Sequence, residues 1–127
     1  MPVNKGDKIL GRKARSLLKA STTTDRQKLA YLRTDKAQIE AMLVEIKPGG
    51  QSGRHMHPVP TLVYIIKGTL TVELDDGSRH KYSAGKISME VTNIWHNARN
   101  MARKSLKLLV IYLGERGKPN MLRPAVE

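Results

Sequence analysis

From Ile39 onward, apolar and polar positions alternate in short runs, each closed by a turn-forming residue. Ile39 to Ile46 alternates in part and stops at Pro48-Gly49-Gly50, while Thr61 to Ile66 is an apolar, β-branched run ending at Lys67-Gly68. Thr69 to Leu74 alternates cleanly at period two and meets Asp75-Asp76-Gly77, a hairpin signal. Arg79 to Tyr82 reads as a short polar strand before Ser83-Ala84-Gly85. Ile87 to Val91, Asn93 to Asn97 and the strongly apolar Leu106 to Leu113 follow. Ser21 to Thr24, small and β-branched, suits a further strand. No stretch holds a helical period. Seven or more short strands in so short a chain predict an all-β domain, either a sandwich or a small closed barrel.

Composition narrows this further. The 127 residues fit one domain. Residues 1–20 form a basic arm, partly flexible, and 21–127 the barrel. Cysteine is absent, which excludes disulfides, thiolate metal sites and a cysteine nucleophile. No apolar run approaches the ~20 residues that span a bilayer, and the first twenty residues carry no signal-like apolar stretch. The expectation is a cytoplasmic protein without membrane contact.

The formal charge is +12. Six basic residues stand against Asp7 in the first twenty positions. Seven more, from Arg99 to Arg123, stand against Glu115 and Glu127. Such a surface favours anionic partners. Single-strand binders interleave aromatic and basic residues, however, and here Trp95 and the four tyrosines are not interleaved with the basic residues in that way. A solvated basic face is the simpler reading, and nucleic acid is not the expected partner.

Candidate chemistry gathers at the histidines. His55 and His57, two apart, would face the same way on a strand and offer two imidazoles to a transition metal. Two exposed histidines beside Pro58 and Pro60 would give the same spacing, so the pair alone does not decide. His80, between Arg79 and Lys81, reads as a surface residue. Glu90 precedes His96 by six residues. It either borders the same cavity, as a metal ligand, a support for a ligand imidazole or a general base, or faces outward. No nucleophile elbow or phosphate-cradling glycine loop is present.

The frame around the histidines is more specific. Gly49, five residues, His55, one residue, His57, three residues, Thr61, six residues and Gly68 resemble the first motif of the cupin superfamily, in which a glutamate takes the place of Thr61. Gly85, ten residues, His96, three residues and Asn100 resemble the second. Val91 stands at a usual proline and Asn93 at a usual glycine, and asparagine tolerates positive φ. Sixteen residues separate Gly68 from Gly85, room for a hairpin and a short strand. The likeness covers about residues 38–113, and the chain looks like a small single-domain bacterial cupin of the conserved-barrel type.

The resemblance implies a double-stranded β-helix, or jelly roll, with His55, His57 and His96 binding one divalent transition metal: Fe, Zn, Ni or Mn. Thr61 would occupy the fourth-ligand or cavity-lining position, Trp95 would wall or underlie the cavity, and Glu90 would be the catalytic candidate. With a neutral Thr61, the site keeps the ion's charge and favours a small anionic ligand. The leading expectation is a metal-dependent oxygenase or isomerase. A non-catalytic ligand- or metal-sensing barrel is the alternative, and a nucleic-acid accessory protein the third. A homodimer is also implied, with Ser21–Thr24 and Leu106–Leu113 as candidate contacts.

Overall fold

The computed structural model describes residues 4–6 and 8–125. Part of the expected basic arm (positions 1–3 and Asp7) and the C-terminal Glu127 therefore lie outside the described residues. Seven strands follow in order: β1 (Ala37–Ile46), β2 (Thr61–Lys67), β3 (Thr69–Leu74), β4 (Arg79–Ser83), β5 (Ile87–Met89), β6 (His96–Arg99) and β7 (Leu106–Glu115). All pairings are antiparallel, in one sheet ordered β1-β7-β2-β5 and another ordered β4-β3-β6. Among the described residues there is no helix, and so none long and apolar enough to cross a membrane.

Period-two alternation sets which residues meet between the sheets. Leu106, Leu108, Val110 and Tyr112 of β7 are buried in strict alternation. Thr61, Val63 and Ile65 do the same on β2, and Leu70, Val72 and Leu74 close the core from β3. Burying such side chains contributes roughly 1.5–3 kcal/mol each, so the core sits between the two inner faces.

Turns hold the strands in place. Gly68 adopts φ +88°, and a Cβ there would lie 2.7 Å from the Ser105 carbonyl oxygen, so the β2–β3 turn packs against the start of β7 only as glycine. Asn93 adopts φ 58°, the conformation that suits asparagine at a usual glycine position. Asn100 is buried, with its amide donating to the Ile46 (2.9 Å) and Lys104 (2.7 Å) carbonyls and its Oδ1 accepting from Ala102 N (3.1 Å). Asn100→Ala removes three hydrogen bonds to the backbone and is expected to cost about 2–4 kcal/mol, read as a lower urea midpoint.

Two expectations need correction. Ser21–Thr24 is not a strand: Thr22 makes a single bridge to Lys28, and Thr24 N donates to the Met89 carbonyl at 2.9 Å, so this segment seals the edge of β5 within its own chain. The strand expected at Asn93–Asn97 begins only at His96, because the positive φ of Asn93 interrupts the extended backbone. Residues 8–20 lie on the surface without strand structure.

Candidate metal centre

His55 and His57 lie in an irregular segment rather than in a regular strand. A single antiparallel bridge joins His55 to His96, with both N–H···O distances 2.8 Å. His96 opens β6, opposite Leu74 of β3. The three imidazoles are buried, with ring centroids 4.9, 4.3 and 5.0 Å apart, and one nitrogen from each lies within 4.8 Å of the others.

Each Nδ1 points to a backbone carbonyl: His55 to Gly53 at 2.7 Å, His57 to Asn120 at 3.1 Å and His96 to Ile94 at 2.8 Å. A carbonyl only accepts, so each Nδ1 carries the proton and each Nε2 presents a lone pair. His96 Nε2 is fully buried without a hydrogen-bond partner. Burial holds all three rings neutral. It pushes His55 down to about 4 and His57 to about 3, against the opposing carbonyl hydrogen bonds, and it lowers His96 as well. Three neutral, carbonyl-oriented imidazoles, with one nitrogen from each within 4.8 Å of the others, are a donor set that fits a divalent transition metal.

Glu90 sits one residue beyond β5, its N–H bound to the Thr61 carbonyl at 2.9 Å. It faces inward and is buried, and burial pushes its carboxyl up to about 7 despite the Ser88 hydroxyl, which donates to Oε2 at 3.5 Å. Glu90 lines a cavity of about 300 Å³ together with His55, His57, Val63, Leu70 and Tyr112. Its carboxylate is outside the three-histidine donor cluster.

The other expected site residues are placed differently. Thr61 is buried, but its hydroxyl donates to the Val59 carbonyl at 3.0 Å, and the residue does not line the cavity. Trp95 does not line it either: its half-buried ring lies 4.7 Å from the Arg54 guanidinium, which is also paired with Asp75. His80 is half-buried on β4, outside the histidine cluster.

Tyr112 and the C-terminal segment escaped the sequence reading. Tyr112 packs 5.4 Å from His57, and burial, with Glu40 and Glu90 nearby, raises its hydroxyl above the ordinary range. Counting by two from Leu106 already places it on the inner face. Residues 120–123 run beside the histidine segment through a bridge between Met56 and Leu122, bringing Met121 and Arg123 to the cavity. Nothing periodic marks that contact.

The neutral histidines fix a pH dependence for the metal-free protein. Their folded values lie below the unfolded value of 6.5, so between about pH 6.5 and 4 the unfolded chain binds more protons and stability falls as pH falls. Glu90, raised to about 7, opposes this with a single group against three. Metal-free protein is therefore expected to melt at least ~5 °C lower at pH 5 than at pH 7, by calorimetry.

Residues 42–112 match the family model described as a cupin domain. No curated protein matches the chain. The fold is similar to that of a conserved protein with a double-stranded β-helix domain from Klebsiella pneumoniae (17% identity, 72% of this chain and 76% of that one, TM-score 0.57). It is also similar to an oxalate decarboxylase from Lactobacillus farciminis in a formate complex (22%, 66% and 26%, 0.56). A sugar phosphate isomerase of the cupin superfamily from Silicibacter pomeroyi is similar as well (25%, 60% and 50%, 0.53). The aligned part of this chain thus spans about a quarter of the decarboxylase and half of the isomerase.

Proposed function

Because this chain belongs to the cupin family, we propose that it is a metal-dependent enzyme of isomerase type, moving a proton on a small anionic organic substrate. His55, His57 and His96 hold one divalent ion. The observation that carries the reading is the set of three Nδ1–H groups spent on backbone carbonyls, which leaves three Nε2 lone pairs to converge, one of them buried without a partner.

The ion would supply Lewis acidity, polarising a substrate oxygen so that a neighbouring C–H becomes acidic. Neutral imidazoles leave the ion's charge uncompensated, which favours an anion. Glu90 is the general acid–base: it is buried, it lines the same cavity as His55 and His57, and burial raises its carboxyl toward the range where it can take and return a proton. The inward faces of Val63, Leu70 and Val110 keep bulk water from the reacting carbon. Two of the similar proteins are named for oxalate and sugar phosphate, both small anions.

The test is hydrogen–deuterium exchange at substrate carbon, followed by proton NMR in D₂O, with metal-loaded protein and a panel of small 2-oxo and 2-hydroxy carboxylates and sugar phosphates. Exchange with at least one of them is expected. Tight binding without exchange or turnover would instead make the barrel a sensing or storage module.

A homodimer completes the reading. Ile39 (69% exposed) and Leu43 (66%) continue an apolar outer face formed by Leu109, Ile111 and Leu113 of β7 and Leu62 and Tyr64 of β2, and β1 is a free sheet edge. The same face on a second copy is self-complementary, as two-fold contacts require. β7 is interior to its sheet and contributes this face but no edge. Leu43→Glu is expected to convert a micromolar dimer to monomer in equilibrium sedimentation; a monomeric parent would refute the contact.

A further inference from the structure

We infer that Arg123 is a specificity-determining residue of the cavity, binding the second carboxylate of a short dicarboxylate whose first is held at the histidine centre. This deepens the reading above and rests on it.

The cavity has a polar floor and a mouth. His55, His57 and Glu90 are buried and form the floor, while Met42, Gln51, Met121 and Arg123 are exposed and mark the mouth. Arg123 and His55 line the same cavity. Among the described residues the Arg123 guanidinium has a single anchor: Nη1 donates to the Ser52 carbonyl at 2.9 Å, and the next carbonyl, that of Gly53, accepts from His55 Nδ1.

Gly53 itself makes the seat. It adopts φ +84°, and a Cβ there would lie 3.0 Å from Arg123 Nη1. Two consecutive carbonyls of one loop thus fix a candidate metal ligand and a cation against the same cavity. Among the described residues Arg123 has no carboxylate partner. Glu45, the other acidic residue of the lining, is 3.9 Å from Lys107 instead.

An arginine fork with free N–H groups matches a carboxylate in shape and charge. The volume of about 300 Å³ is at the small end for ligand sites, so the two poles suit a chain of few carbons. A monocarboxylate reaches only the floor.

The experiment is isothermal titration calorimetry of zinc-loaded protein with malonate and with acetate, for the parent, Arg123→Gln and Arg123→Lys, with zinc occupancy measured on each sample. Arg123→Gln is expected to weaken malonate about 10–100-fold and acetate less than ~3-fold at unchanged zinc. Arg123→Lys should fall between, because it keeps the charge and loses the fork. Equal malonate affinity in parent and Arg123→Gln at full zinc occupancy overturns the assignment and leaves the metal reading intact. Equal losses for both ligands, or no malonate binding by the zinc-loaded parent, overturn it as well. A parent that takes up no zinc overturns the metal reading and this inference with it.

Discussion

A His55→Ala/His96→Ala double variant is expected to bind zinc more than about 100-fold more weakly than the parent, a larger loss than removal of an outer hydrogen bond gives. The two residues face each other across one backbone bridge, and His96 also opens β6 opposite Leu74, so the change removes two of the three clustered imidazoles while every backbone hydrogen bond can persist. Zinc at ~100 times its dissociation constant should stabilise the parent by about 2.7 kcal/mol, several degrees in melting temperature, and leave the variant unmoved. Calorimetric melts with and without zinc check both. The metal-free parent already bears the cost of His96 Nε2 buried without a partner, so alanine there relieves one unfavourable group while opening space. A zinc-dependent shift that persists in the double variant would place the metal elsewhere.

Glu90→Gln carries the second large effect. The amide fills the same volume but neither takes nor returns a proton, so kcat should fall about 10²–10⁴-fold, with zinc content unchanged. In the parent, Glu90 as base requires the carboxylate, so the rate should rise with pH as that carboxyl ionises. That limb should be absent from the residual activity of the variant. Because burial of the charge is what raises the carboxyl, the variant should also be no less stable than the parent at pH 8. Exchange within ~3-fold of the parent rate would remove Glu90 from the proton path.

Much of this was legible in the chain because the signals are local. Thr69 to Leu74 and its Asp-Asp-Gly turn announce a hairpin, and the observed strand has those limits. The spacing from Gly49 to Gly68 and from Gly85 to Asn100 pointed to the barrel before any contact was known. Asn93 adopts the positive φ that its place in that frame implied. The inward turn of Glu90 was not legible, because face-counting fails across the irregular stretch between Met89 and His96. Thr61 illustrates a different limit. Its position follows from the frame, but the choice of the Val59 carbonyl as hydroxyl partner is a matter of local packing. Asn120 and Arg123 were out of reach for a third reason. They act on His57 and the cavity mouth from a tail whose composition is merely polar, and only tertiary closure brings residues 63 apart into contact.

X-ray absorption at the zinc edge of the loaded parent protein reads the donor set of His55, His57 and His96 itself. Three imidazole nitrogens are expected at about 2.0–2.1 Å, with only oxygen donors completing the shell. A spectrum with one imidazole or none, or a parent that binds no zinc, iron, nickel or manganese, would contradict a three-histidine centre.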